Sequence, residues 1–387
     1  MLELLFLLLP VAAGYGWVMG RNSVRQAQRK SSSILTKHYF KGLNFLLSDQ
    51  PDKAVDTLIK MIDVNTANVE THISMGNFFR HRGELDRAIK IHQSLVSRDE
   101  LDENFKAEAL FELGRDYALA GFLERAESTF LKLLENDIYY TQAQIQLFGI
   151  YQTTKEWQRA IELAERMMQN NGDSEELCCR LSHFYCEQAL TLKAEPEVAA
   201  KLLQNSISAD ENAIRPWLIL AEIAIEKNDI PQAEDYLRQV PLRDITWFSE
   251  AVPLLQKCAE ISGDTKTLES LLEQYVSQCA TAYLAKVKLL ANQESVESAS
   301  DFLLQQLQKS PTMRGFQTLL GLYIQTPALL IKDGSLSLLQ KLVEAQVLQR
   351  PKYRCSNCGF SGRKVHWLCP SCKTWGSMQP IKGLDGE

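Results

Sequence analysis

The chain has 387 residues, with 42 basic and 48 acidic side chains and a formal net charge of -6. That length holds two or three globular domains or one long solenoid. Gly and Pro are sparse, strand-like alternation is rare, and Leu, Ala, Glu, Gln and Lys dominate, which argues for a mostly helical protein and against a β fold.

The charge is uneven. Residues 4–48 carry six Lys or Arg and no acid, while residues 350–387 carry seven basic residues against two acidic ones. Between them, 49–349 holds 29 basic and 45 acidic residues, a balance of -16. A basic tail and an acidic body suggest that the tail folds back on the body, the alternative being solvated charge with no docking role. Trp367 and Trp375 are available in the tail for stacking on bases, but so acidic a body argues against a nucleic-acid partner.

Leu2 to Gly20 is nearly all apolar, with Glu3 the only charge. As a helix it spans roughly 28 Å, close to the hydrocarbon thickness of a bilayer. The expectation is an uncleaved single-span anchor over 1–20, because a signal peptide wants basic residues before its apolar run. Here they follow it, as Arg21, Arg25, Arg29 and Lys30. The positive-inside rule then leaves the N-terminus outside and the body in the cytoplasm. Arg21, Arg25 and Arg29 form one helical stripe at the lipid heads, within a short linker over 21–34.

From Leu35 one pattern is written three times. A Gly is followed twelve residues later by an Ala: Gly42 and Ala54, Gly76 and Ala88, Gly114 and Ala126. A large apolar residue precedes the second and third Gly, as Met75 and Leu113, and an aromatic follows three residues on in Gly42-x2-Phe45, Gly76-x2-Phe79 and Gly114-x2-Tyr117. The first two glycines are 34 residues apart, the period of the tetratricopeptide helix-turn-helix repeat. The small residues let paired helices approach, and stacked hairpins bury the face that no hairpin buries alone. Later copies are looser: Phe148 stands where a small residue belongs, Pro196 opens a second helix, and the pattern returns at Trp217, Ala221, Ala224 and Ala233. The expected fold is an all-α tetratricopeptide solenoid over 35–349, about eight or nine helical pairs, with a small metal module over 350–387.

In such packing the first helix of each pair lines an inner groove. Counting from Val69, Ala107 and Thr141 brings Asn77, Arg80, His81, Arg115, Gln142 and Gln152 to it, polar groups without an obvious internal partner and so candidates for partner binding.

Cys178, Cys179, Cys186, Cys258 and Cys279 have helical or isolated spacing and read as packing residues. The tail differs. Cys355-x2-Cys358-Gly359 and Cys369-Pro370-x-Cys372, ten residues apart, place two knuckles around one metal, with four thiolates as ligands. Four thiolates suit iron or zinc alike. Val365 and Trp367 alternate with polar residues after Ser361-Gly362, consistent with a small hairpin, and His366 reads as a surface residue. No HExxH, nucleotide-binding loop or nucleophile beside a His points to an enzyme.

Anchor, repeats and this knuckle pair together resemble the lipopolysaccharide assembly protein B family of Gram-negative bacteria over the whole chain. The resemblance implies an inner-membrane adaptor facing the cytoplasm. It implies help to the membrane ATP-dependent protease FtsH in degrading LpxC, the lipid A deacetylase, with another inner-membrane lipopolysaccharide regulator as partner. It carries the rubredoxin-like ligand set onto Cys355, Cys358, Cys369 and Cys372. The short loop between the pairs and Lys373 in place of Gly count against electron transfer. A scaffold for envelope assembly without a role in proteolysis is the alternative, and homo-oligomer formation is left open.

Overall fold

A computed structural model describes residues 69–325 and 335–386, apart from 100, 136 and 173, together with 17 and 19–21. The first repeat, with Gly42 and Ala54, lies outside the described residues, as do Arg25, Arg29, Lys30 and nearly all of the Leu2–Gly20 run. Among the described residues no helix is long and apolar enough to cross a membrane. The chain forms two compact units, residues 1–150 and 151–387.

In the first unit α1 (Val69–His81) pairs with α2 (Leu85–Val96), and α3 (Glu103–Leu119) with α4 (Leu123–Leu133). The α5 helix (Tyr140–Thr154) follows. The small residues do what the repeat requires. A Cβ on Gly76 would lie 2.3 Å from the His92 ring, and one on Gly114 would lie 2.7 Å from the Phe130 ring. Ala88 and Ala126, one helical turn before those rings, have no exposed surface.

One turn closes these hairpins. The Glu84 N–H donates to the Phe79 carbonyl at 2.9 Å and the Phe122 N–H to that of Tyr117 at 2.9 Å, with Gly83 and Gly121 left-handed between them. This is the six-to-one closure that ends a helix on a left-handed residue. Lys155 and Asn228 take the same conformation at later turns, with φ of 60° and 59°.

The second unit holds α6 (Trp157–Asn171), α7 (Glu175–Thr191), α8 (Pro196–Ala209), α9 (Arg215–Glu226) and α10 (Ile230–Arg243). After a turn of 3-10 helix at Ile245–Trp247 come α11 (Phe248–Ser262), α12 (Lys266–Tyr275), α13 (Ala280–Gln293), α14 (Val296–Lys309), α15 (Met313–Gln325) and α16 (Ser335–Gln349). Pro196 starts α8, where its missing N–H costs nothing. Residues 247–279, poorly matched to the repeat pattern, still form a helical pair, because Phe248, Leu255 and Leu272 supply the buried surface.

The tail forms an antiparallel sheet in the order β2-β1-β3, from β1 (Tyr353–Cys355), β2 (Ser361–Gly362) and β3 (Met378–Pro380). The hairpin expected between the cysteine pairs is not there. Ser361 pairs with Arg354 of β1 instead, and beyond the second loop Leu368 bridges Trp375. Val365 and Trp367 follow no strand, because both pack against the solenoid core of the second unit.

Candidate metal centre

Each Cys pair is held by the same backbone device. The Gly359 N–H donates to the Cys355 carbonyl at 3.0 Å, and the Lys373 N–H to the Cys369 carbonyl at 3.0 Å. Both residues are left-handed, at φ 77° and 57°. Lys373 takes the strained conformation that Gly359 adopts freely, at about 1–2 kcal/mol.

The knuckles bring Cys355, Cys358, Cys369 and Cys372 together with their sulfurs within 4.8 Å of one another. Cys355 Sγ lies 3.7 Å from Cys372 Sγ, and Cys358 Sγ lies 3.7 Å from Cys369 Sγ. A tetrahedral ion with metal–sulfur bonds of about 2.3 Å sets its sulfurs about 3.8 Å apart, while a disulfide needs about 2.05 Å. The four thiols therefore fit one ion and no disulfide. Neighbouring hydroxyls favour the thiolate form. Ser377 lowers the pKa of Cys355, and Thr374 with its backbone N–H holds Cys372 down at about 5. Burial raises Cys369 to about 11, so that thiol gives up its proton to a metal rather than to water. All four ligand positions are filled by the chain, which leaves no open site for substrate. His366 is exposed and outside the cluster.

Tyr353, Cys355, Cys369 and Met378 make a core of only four buried residues, so the module leans on the solenoid. Trp367 stacks on Trp247 at 4.7 Å and 16°, with the Arg215 guanidinium 5.6 Å from its ring. Trp375 stacks on His183 at 5.0 Å and meets Phe184 and Trp157 edge-on. Gly376 passes so close that a Cβ would lie 3.3 Å from His183 and 3.4 Å from Cys179. The Tyr353 hydroxyl donates to Glu250. These contacts come from α7, α9 and α11, from Trp247 in the 3-10 turn and from Trp157 at the start of α6. His183 stays neutral there, its pKa pushed down to about 3 by burial and by Arg215.

The tail thus docks on the second unit as its charge suggested, but through ring stacking. The cation over Trp367 belongs to the body and is oriented by Glu187 at 2.7 Å. Trp367 and Trp375 are turned inward and are not available for stacking on bases. Sequence reasoning missed His183, Arg215 and Trp247, because single residues on three different helices leave no spacing to read.

The other cysteines pack as expected. Cys186, Cys258 and Cys279 are buried, and Cys186 Sγ lies 3.3 Å from Ser206 Oγ.

The groove candidates divide. His81 and Gln142 are exposed, Gln152 is half-buried, and Arg115 is half-buried with its head on Glu112 at 3.2 Å. Arg80 was expected to lack an internal partner, and it has three. Its guanidinium meets Glu112 at 2.5 Å, Asp116 at 3.0 Å and the Asn77 amide oxygen at 2.5 Å. Asp116 also takes His92 Nδ1 at 2.6 Å, and neither Asp116 nor His92 is exposed. His92 occupies the place that Phe130 fills one repeat later, so this hairpin has a polar network where the next has a ring. Arg80→Glu is expected to lower unfolding stability by about 3–5 kcal/mol, by breaking the buried pairs to Glu112 and Asp116 and setting a third carboxylate beside them. Arg115→Glu, at a half-exposed pair, should cost less than about 1 kcal/mol. Denaturant unfolding of the two variants checks this; equal losses would mean the network does not hold the hairpin.

Residues 353–380 match the rubredoxin metal binding domain family, and residues 71–103 match the tetratricopeptide repeat. Lipopolysaccharide assembly protein B of Escherichia coli K12 is 39% identical over 390 residues, covering 100% of both chains. The chain belongs to the lipopolysaccharide assembly protein B family. The protein of that name from Haemophilus influenzae is 35% identical, again over 100% of both chains. A solved tetratricopeptide repeat protein from Parabacteroides merdae is 13% identical, with a TM-score of 0.33 over 80% of this chain and 98% of that one. In this member of the lipopolysaccharide assembly protein B family the four-thiolate site binds one metal ion, iron or zinc, and that ion ties two knuckles into one folded module.

Proposed function

We propose that the chain is a membrane-tethered, non-catalytic adaptor that regulates lipopolysaccharide biosynthesis. In this reading it presents the deacetylase LpxC to the protease FtsH and answers to another inner-membrane regulator. The observation that carries the reading is the closed thiolate module docked on the solenoid. The metal has a structural task, and what remains to act is interaction surface. The names of the full-length relatives support the pathway. In the second unit the module lies mainly on α7, α9 and α11, while His81 and Gln142 stand exposed on α1 and α5 of the first unit. Asn77 and Arg115 complete the proposed groove of the first unit, and Gln152 is a candidate contact in the second.

The anchor is assigned to 1–20 and its lipid-facing cations to Arg21, Arg25, Arg29 and Lys30, with the N-terminus periplasmic and the body cytoplasmic. Holding protease and substrate within one tether length raises their effective concentration toward about the millimolar range. A soluble form beginning near Leu35 is therefore expected to fold and bind the deacetylase, yet not to speed its degradation. Deacetylase half-life in cells carrying each form is the measurement; equal shortening by the soluble form would rule out tethering as the mechanism.

A further inference from the structure

The outer edge of the metal module carries charge that no carboxylate of the described residues answers. In β1, Tyr353 and Cys355 are buried, Tyr353 reaching Glu250 of α11 and Cys355 lying in the thiol cluster. Arg354, between them, therefore points away from the solenoid. Backbone hydrogen bonds gather more cations round it. The Lys352 N–H donates to the Gly362 carbonyl at 2.9 Å, and the Ile381 N–H donates to the Lys352 carbonyl at 2.9 Å. Lys352 is thus flanked by the segment of Arg363 and Lys364 on one side and by that of Lys382 on the other. All five cations are exposed, and among the described residues none of them pairs with a carboxylate. The acids at this edge are engaged, Glu250 with Tyr353 and Asp385 with Arg350. In the solenoid, by contrast, Arg80, Arg159, Arg180 and Arg215 all sit on acids. Neighbouring strands lie about 4.8 Å apart, well inside a Debye length, so the five like charges repel one another. Such repulsion destabilises a sheet, and this sheet belongs to a module with only four buried core residues. An anionic surface outside the edge relieves it.

We propose that this edge of the metal module lies against an anionic lipid surface, with Lys352, Arg354, Arg363, Lys364 and Lys382 on the headgroup phosphates. The tethering reading above supplies the membrane; the contact itself rests on the edge alone. Apolar side chains beside the charges select lipid over other polyanions. Leu384 is 49% exposed and Ile381 is half-buried, on either side of Lys382. The Leu384 carbonyl accepts from the Met313 N–H at 2.9 Å, which fixes this segment on α15. A lipid interface takes up both kinds of side chain, cations at the phosphates and a leucine just beneath them. A nucleic-acid backbone answers the charges and leaves Leu384 in water. The acidic body is repelled from an anionic surface, so the basic module is the part of the folded chain that approaches it.

Lysine acylation of the full-length chain, mixed with vesicles and read by mass spectrometry, tests this. One set of vesicles is phosphatidylcholine alone, and the other contains roughly one-third phosphatidylglycerol. Lys352, Lys364 and Lys382 are expected to react at least about fivefold more slowly with the anionic set. They should regain their rate in about 0.5 M salt. Lys90 and Lys227 of the solenoid, both exposed, should react alike with both sets. Arg354→Glu combined with Arg363→Glu should abolish the protection, and retained metal shows that the variant is folded. Should that variant lose its metal, Lys382→Glu, well beyond the last ligand, is read at Lys352 and Lys364 in its place. Equal rates with neutral and anionic vesicles overturn the proposal. So does stronger protection by a single-stranded oligonucleotide than by the anionic vesicles. The anchor is read separately, from whether the chain floats with the neutral vesicles, so a failed tether and a failed edge give different results.

Discussion

Replacing Cys355 or Cys372 with serine is expected to remove one equivalent of bound metal and to leave the tail open to protease. Four sulfurs within 4.8 Å of one another are a complete tetrahedral set, and serine replaces a thiolate with a poor ligand. The module has almost nothing else to fold on. Its sheet has strands of three, two and three residues, and its core has four buried side chains. Metal binding in such modules supplies roughly 10–16 kcal/mol, more than those contacts replace. The hydroxyls of Ser377 and Thr374 favour the thiolates at positions 355 and 372, so these two should be among the most damaging sites. Cys179→Ser is the control, since Cys179 packs near Gly376 but lies outside the cluster. Elemental analysis of purified variants, with limited proteolysis, decides the matter. Full occupancy without Cys355 and Cys372 would mean that the ligands are assigned wrongly.

What could be read from the sequence follows from how many positions each feature constrains. The repeat was legible because close helix approach needs a small residue at a fixed place in every copy, as Gly76 and Gly114 show. The metal site was legible because a knuckle needs its two thiolates three residues apart. The Arg80 network was not legible. It arises from one departure, His92 where the pattern calls for a large apolar residue, and a single departure does not say that Asp116 and Arg80 answer it. The hairpin expected after Ser361-Gly362 failed for a related reason. Alternation of Val365 and Trp367 shows that one side is buried, but not that the burying surface is a helical solenoid rather than a facing strand. Charge asymmetry indicated that the tail would fold back. It could not reveal that aromatic rings would do the holding, because charge acts at long range and stacking only at contact.

Trp367→Ala together with Trp375→Ala is expected to release the metal module from the solenoid while leaving its metal in place. Each ring sits just outside a ligand of the second knuckle: Trp367 is two residues before Cys369 and Trp375 three after Cys372. The knuckle therefore aims both rings, and the rings carry the docking. Trp367 stacks on Trp247 with the Arg215 guanidinium near its ring, and Trp375 fills the space beside His183, Phe184 and Trp157. A buried Trp→Ala change costs about 3–5 kcal/mol, and each stacked pair adds about 0.5–1.5 kcal/mol beyond its buried area. The links that remain are weaker: Val365 packs against the solenoid core, the Met313 N–H donates to the Leu384 carbonyl at 2.9 Å, and the Tyr353 hydroxyl donates to Glu250, a hydrogen bond to a charged group worth about 1.5–3 kcal/mol. Losing both rings removes the largest buried side chains of the contact and should loosen the module. The ligands, by contrast, keep their own strand pairing through β1 and β3, and neither ring touches the metal. The double variant should show faster amide exchange along α7 and quicker cleavage at Arg350, with one equivalent of metal retained. That combination separates docking from metal binding, which the cysteine variants remove together. If the double variant loses its metal as well, the solenoid surface is part of what folds the site. If α7 stays protected, the module is held by contacts other than these two rings.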